Sequence, residues 1–218
     1  MSKYKKTILC GMVATIVSIP LSSAFAIGVK YGMTWGKSGH SNDLGIDALG
    51  CYGSPASPEG PCNAYHGDTK CTEKLPVLCV RLDGSPRPNY DVEDHCGGVM
   101  ECAYYRGWAR GHIATTKPIL GYMLTSASAG DKICRSYFGA DWKMLEHHDG
   151  KYVSGMDHDY LYGNTGDWNS STPWPTSGLL TGGWSLFAYG NVRNDTRFWV
   201  KVDGQPANCW NSNAALYP

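Results

Sequence analysis

The stretch "SASAGDKICRSYFG", residues 126–139, is the segment that decides the fold class. Ser126 or Ser128 can cap a helix with its hydroxyl, and Asp131 follows Ser128 by three residues, as in a capping box. Gly139 can end the helix, because glycine readily adopts the backbone conformation found after a helix C-terminus. We therefore predict one main helix here, and this helix carries a cysteine.

Outside this helix, the sequence favours short strands separated by turns rich in Gly, Pro, Ser and Asn. Four segments have strand patterns: "LPVLCVRL" (75–82), "HIATTKPILGYMLT" (112–125), "DWKML" (141–145) and "FWVKV" (198–202). The proline of the second segment indicates a sheet edge or a kink between two strands. The Asp-Gly pair after the last segment predicts a hairpin turn and a further strand that holds Cys209. The predicted fold class is α+β, with short mixed or antiparallel strands and one main helix.

Residues 1–26 have the pattern of a secretory signal peptide. Three lysines precede an apolar run, and "LSSAFA" places small residues before a cleavage point after Ala26. A membrane anchor needs roughly 20 apolar residues, and this run is interrupted by Pro20 after about a dozen. We therefore expect a secreted or periplasmic protein that is not embedded in a membrane.

Removing the leader changes the charge balance of the chain. The 19 basic side chains lose three lysines to become 16, against 19 acidic side chains, so the mature chain is mildly acidic. This balance argues against nucleic acid or an anionic membrane surface as a partner.

Cysteine usage predicts a disulfide-rich protein. Cys10 lies in the leader, and the other eight of the nine cysteines form an even set, as expected for disulfides in an exported chain. Six of them crowd between Cys51 and Cys102, which favours local pairing there and a bond between Cys134 and Cys209. A zinc site is disfavoured because no CxxC motif occurs. Turn-rich sequence further divides the chain into a cysteine-rich, loop-dominated N-terminal extension over 27–103, with little core of its own, and a second domain over 104–218.

The second domain resembles the C-type-lectin-like domain. The likeness is carried by the helix with Cys134, by "FWVKV" in place of the family's "WIGL" strand, by a long irregular loop and by "ANCW" near the C-terminus. It implies a Cys134–Cys209 bond and ligand binding by the long loop. The calcium-binding motifs of the family are absent: "QPAN" (205–208) follows the loop and lacks the acid, and "DWN" (167–169) has the wrong order. Calcium and sugar specificity are therefore not carried over. The segments from Ala129 and from Thr196 also resemble stretches of secreted bacterial proteins, which assigns no activity.

The long loop, residues 150–182, combines aromatic rings with side-chain amides and carboxylates, the composition of a recognition surface. The predicted ligand-binding residues are Tyr160, Tyr162, Asn164, Asp167, Trp168, Asn169 and Trp174. The alternative is that these rings cover the core. Trp184, Trp199 and Trp210 lie in strand patterns and are predicted to be core residues.

The stretch "EHHDG", residues 146–150, suggests a divalent-metal site. Alternate residues of an extended chain share a face, so Glu146 can converge with His148, and Asp157 and His158 are the natural further ligands. The alternative is a polar strand end satisfied by hydrogen bonds, which is favoured because spacings such as HExxH are absent. No catalytic residue is predicted, since GxSxG is also absent.

These observations favour a secreted or periplasmic, disulfide-stabilised binding protein that recognises a glycan or an extracellular protein through the aromatic loop, with no cofactor. Two alternatives stay open. One is a metal-dependent secreted hydrolase, and the other is a structural subunit or adhesin component of a cell-surface assembly.

Overall fold

The computed structural model describes residues 29–58, 62–86, 106–150 and 185–211. Within these ranges the protein is mixed α+β, with one α-helix, one curled main sheet and three disulfides. The strands are β1 (Tyr31–Gly32), β2 (Thr34–Ser41), β3 (Ile46–Gly50), β4 (Thr69–Lys70), β5 (Lys74–Leu75), β6 (Leu78–Arg81), β7 (Arg106–Thr115), β8 (Ile119–Leu120), β9 (Lys143–Met144), β10 (Ser185–Tyr189) and β11 (Phe198–Trp199). The α-helix α1 spans Ala127–Phe138, and a short 3-10 helix spans Gly121–Met123.

The main sheet has seven strands in the order β11-β2-β3-β10-β7-β6-β9. Only the β10–β7 pair is parallel among these described strands, and its neighbours pair antiparallel. Two small antiparallel pairs, β1–β4 and β5–β8, lie outside the main sheet. None of the helices in the described part of the chain is both long and apolar enough to cross a membrane.

The division at residue 103 does not describe how the sheet is built. Strands β2, β3 and β6 come from the first segment and interleave with strands of the second. Met33, Trp35 and Leu49 belong to the same buried cluster as residues of the C-terminal strands. The described parts of 27–103 are therefore not a loop-dominated extension, because they supply central strands and core.

Glycine residues within β2 account for the difference between the predicted loops and the observed strands. In "TWGKSGHS" the glycines interrupt the alternation, yet Gly36 lies in β2. A Cβ added to Gly36 would lie 2.5 Å from the carbonyl carbon of Gly53. Here glycine permits a close backbone approach within the fold, which sequence alone cannot distinguish from a strand breaker.

The predicted helix is confirmed, with one change in its capping. The Ser126 hydroxyl accepts a hydrogen bond from the amide of Ala129 at 3.0 Å, and Gly139 ends the helix with φ of 107°. Because Ser126 is the cap, Asp131 does not complete a capping box. Its carboxylate instead accepts a hydrogen bond from the amide of Met144 at 3.0 Å and pairs with Lys201.

The predicted Cys134–Cys209 disulfide is wrong. Cys134 bonds to Cys79 of β6, with a Cα–Cα distance of 5.6 Å, and Cys209 bonds to Cys71 at 5.7 Å. All four cysteines lie in one buried cluster with Trp199, so strand placement, and not sequence separation, decides which sulfurs meet. The local pairing expected in the first group holds for Cys51–Cys62, and Cys96 and Cys102 lie outside the described residues.

The remaining strand predictions are confirmed in large part. Pro118 separates β7 from β8 and "DWKML" contains β9. Trp199 is fully buried and Trp210 is partly buried against the same cluster, whereas Trp184 lies outside the described residues.

The strand predicted to hold Cys209 does not form. The Asp-Gly turn is present, but the amide side chain of Asn208 takes the place of a partner strand. Its Oδ1 accepts from the Val202 amide at 3.0 Å and its Nδ2 donates to the Val202 carbonyl at 2.8 Å. One side chain thereby satisfies both backbone groups of a buried residue.

Candidate functional site

A polar cleft lies where the C-terminal half of β2 meets the turn that follows β10. Its volume is about 560 Å³, within the range of roughly 300–1,000 Å³ typical of ligand sites. Amide, hydroxyl and cationic side chains dominate its walls. The lining residues are Lys37, Ser38, Gly39, His40, Asn42, Ser54, Asn191, Val192, Arg193 and Asn194.

A bulge in β2 shapes one wall of the cleft. The pairing of β2 with β3 shifts register between Lys37 and Gly39. Such a shift re-aims the side chains on either side of it. Ser38 is the residue skipped in the pairing with β3, and it is exposed while Lys37 next to it is buried.

The buried carboxylate of Asp47 holds the side chains of this wall in place. Asp47 is fully buried in β3. Its Oδ1 lies 2.6 Å from Lys37 Nζ and 2.7 Å from His40 Nδ1, and its Oδ2 accepts from the Val192 amide at 2.7 Å. A buried carboxylate is tolerated only when it is paired and hydrogen-bonded in this way.

Lys37 ties the two walls together. Besides Asp47, its ammonium donates to Asn191 Oδ1 at 2.9 Å and to the Val192 carbonyl at 2.7 Å. An ammonium has three N–H groups, and these three acceptors match them. Lys37 therefore has a structural role: its hydrogen bonds position the turn that contains Asn191 and Val192. Because Lys37 donates to the side-chain oxygen of Asn191, the NH₂ group of that side chain is the part left for a ligand.

His40 and Arg193 are the charged or chargeable groups at the rim. His40 is 17 % exposed and contacts Asp47 through Nδ1, which leaves Nε2 as the nitrogen for a ligand. Arg193 is 55 % exposed, and its Nη2 donates to Asp195 at 2.6 Å. A carboxylate that holds an imidazole by Nδ1 fixes the ring orientation, so the cleft can offer a directed hydrogen bond at Nε2.

The predicted metal cluster lies elsewhere, after β9. Glu146 and His148 converge, as expected: His148 Nδ1 lies 3.0 Å from Glu146 Oε1. The other contacts of the Glu146 carboxylate are the backbone amides of His148, at 2.6 Å, and Asp203, at 3.0 Å. Burial raises the pKa of Glu146, but these hydrogen bonds outweigh it and the pKa lies below its usual value. The hydrogen bond to Glu146 raises the pKa of His148.

The other two residues of the turn also have protein partners. Asp149 accepts from Lys143 Nζ at 2.6 Å and from the Glu146 amide at 2.7 Å, and burial raises its pKa. His147 is buried with its ring edge against Trp35, at a centroid distance of 5.8 Å. Burial lowers the pKa of His147 to about 4, so the ring is neutral near pH 7.

In the described part of the chain, no group of three or more His, Cys, Asp or Glu residues is arranged to hold a metal ion. The carboxylates of Glu146 and Asp149 instead hold the turn together. Asp157 and His158, the further ligands predicted, lie outside the described residues. The same is true of the predicted ligand-binding residues Tyr160, Tyr162, Asn164, Asp167, Trp168, Asn169 and Trp174.

Sequence reasoning missed the polar cleft. One signal was present: Asp47 is a single acid inside the apolar strand "IDALG", and an acid in such a position is buried only with partners. Nothing in the sequence connects it to Asn191, which is 144 residues away and reaches the site only through the sheet.

No protein-family model, curated protein or solved structure matches this chain.

Proposed function

We propose that this protein is an exported, disulfide-stabilised binding protein that takes a saccharide in the polar cleft. The observation that carries the proposal is the network of Lys37, Asp47, His40 and Asn191. It fixes polar groups on both walls before a ligand arrives, and preorganised groups lose less conformational entropy on binding. Saccharide hydroxyls both donate and accept hydrogen bonds, and the amide, hydroxyl and imidazole groups of the cleft offer both kinds of partner.

Export is supported by two independent features. The leader pattern of residues 1–26 predicts it, and the three disulfides suit an oxidising compartment. A protein partner at the aromatic segment 150–182 and a relation to the C-type-lectin-like domain stay predictions. The bond of Cys134 to Cys79, and not to Cys209, weakens the argument for that relation.

The contacts of the described residues favour binding over the two alternatives. For a metal-dependent hydrolase, Glu146 and His148 would have to exchange their present hydrogen bonds for a metal ion. For a structural subunit or adhesin component, no contact in the described ranges supplies specific support.

The test is a saccharide screen on the oxidised mature protein, followed by calorimetry of the ligands found. Two exposed cleft residues, Asn42 and Asn194, are replaced by Ala, and Arg135 on the exposed face of α1 is replaced by Ala as a matched control. We expect each cleft variant to lose about twofold to tenfold in affinity, since one hydrogen bond contributes about 0.5–1.5 kcal/mol. The control should bind like the wild type.

A different pattern would overturn the proposal. If Trp168→Ala and Trp174→Ala abolish saccharide binding while the cleft variants retain it, the site is the aromatic segment and not the cleft. If no saccharide binds, and activity against any substrate depends on added metal, the hydrolase alternative replaces the binding protein.

A further inference from the structure

We propose that the cleft is specific for acidic saccharides, in which a sugar carboxylate is placed beside Arg193. This inference rests on the proposed function and deepens it by naming the ligand class. Three features support it: the lining has cationic side chains and no acidic one, the groups left for a ligand are mostly hydrogen-bond donors, and Arg193 already contacts a carboxylate, that of Asp195.

The charges of the lining have one sign. Its ten described residues include the cations Lys37 and Arg193 and no aspartate or glutamate. The mature chain as a whole carries more acidic than basic side chains, 19 against the 16 that remain after three leader lysines are removed. The acids that pair with these cations, Asp47 and Asp195, are not among the lining residues, so the walls of the cleft present cationic donors in a chain of the opposite charge balance. Directed cationic donors suit a carboxylate.

The strongest acceptors near the cleft are already engaged by the protein. Asp47 has contacts to Lys37, His40 and the Val192 amide. The side-chain oxygen of Asn191 accepts from Lys37, so its NH₂ group is left for a ligand. The groups directed to an incoming ligand are thus biased towards donors, and a donor-rich cleft favours a ligand with anionic oxygens.

Arg193 is the group that distinguishes an acid from a neutral sugar. Its Nε and Nη2 contact the exposed carboxylate of Asp195. A guanidinium has five N–H groups, so Nη1 and the second hydrogen of Nη2 can still donate to a ligand carboxylate. Asp195 orients the guanidinium and at the same time competes with the ligand for it. Lys37 cannot play this part, because its three N–H groups have three protein acceptors.

This competition gives the proposal a gain-of-function test. Asp195→Asn keeps the shape of the side chain and removes its negative charge. We expect this variant to bind an acidic oligosaccharide about threefold to tenfold more tightly, because the ligand no longer competes with a carboxylate for Arg193. Arg193→Gln should lower the ratio of acidic to neutral affinity about tenfold. Arg135→Gln on α1 is the control and should change neither quantity.

The experiment is calorimetry of the full mature protein with three probes. These are a neutral glucose oligosaccharide, the matched oligosaccharide that carries glucuronate, and free acetate. The expected result is tight binding of the glucuronate oligosaccharide, at least tenfold weaker binding of the neutral one, and weak binding of acetate.

The outcomes separate this inference from the proposed function. Equal affinity for the neutral and acidic oligosaccharides, or an acid preference unchanged by Arg193→Gln, overturns the inference and leaves the saccharide-binding function standing. Acetate bound as tightly as the acidic oligosaccharide identifies a small carboxylate as the ligand and overturns saccharide specificity. Binding of none of the three probes overturns both proposals.

Discussion

Replacing Arg197 tests how the first and second halves of the chain are held together. Arg197 is 3 % exposed and precedes β11. Its guanidinium donates to Thr34 Oγ1 at 2.7 Å and to the backbone carbonyls of Gly53, Pro55 and Cys51 at 3.0, 2.8 and 2.9 Å. All four partners lie in the first half of the chain.

The guanidinium also compensates a buried acid. Asp68 is 1 % exposed and lies 3.4 Å from the Nη2 of Arg197. Burial raises the pKa of Asp68, although the charge of Arg197 and hydrogen bonds from Thr34 and Thr69 act against the rise. Removing the guanidinium would leave this carboxylate buried with hydrogen bonds but without a countercharge.

We expect Arg197→Ala to lower the free energy of unfolding by about 3–5 kcal/mol, the cost of breaking a buried ion pair by removing one partner. In a domain of this size that corresponds to a fall in melting temperature of roughly 6–20 °C. Arg197→Lys should recover only part of the lost free energy of unfolding, because a single ammonium group cannot reach all the acceptors that surround the planar guanidinium.

The assay is urea unfolding of the oxidised protein, with Arg193→Ala as the matched control. Arg193 is 55 % exposed and its partner Asp195 is 63 % exposed, so the control should leave the midpoint of urea unfolding almost unchanged. Equal destabilisation by the two substitutions would refute the reasoning, because burial is the difference on which it depends.

Three further predictions concern pH, covalent links and the C-terminal turn. The pKa of His147 is about 4 in the folded protein, below its usual 6.5. As the pH drops, the unfolded chain therefore binds the proton first, and the free energy of unfolding falls by about 3 kcal/mol between pH 6.5 and pH 4. His147→Gln should remove that part of the fall in unfolding experiments at pH 7 and pH 4, and an unchanged difference between the two pH values would contradict the assignment. Replacing Cys79 and Cys134 together by Ala should lower the free energy of unfolding by about 4 kcal/mol on the chain-entropy model, because the disulfide spans a sequence separation of 55 residues. Free thiols at both positions in the oxidised native protein, detected by mass spectrometry, would refute the pairing. Asn208→Ala should lower the free energy of unfolding by about 2–3 kcal/mol, because it leaves the buried amide and carbonyl of Val202 without their partners. A loss below about 0.5 kcal/mol in urea unfolding would show that water replaces the side chain.

The local elements of the fold could be predicted from the sequence because their causes are local. Ser126 and Gly139 delimit α1 through hydrogen bonds and backbone geometry within a few residues. The alternation around Lys143 predicts β9 in the same way. The convergence of Glu146 with His148 also follows from their spacing, whereas their role within a closed turn depends on the Asp203 amide, 57 residues away.

The sequence by itself determined the helix, several strands, the export pattern and the presence of disulfides, because each depends on composition or on contacts between near neighbours. The tertiary structure alone decided that Cys134 bonds to Cys79, that β2 and β3 are central strands, and that Lys37, Asp47 and Asn191 form one cleft wall. The physical reason is that these features depend on which strands lie side by side. Strand order is set by the burial of apolar faces across the whole sheet, and no local pattern encodes it.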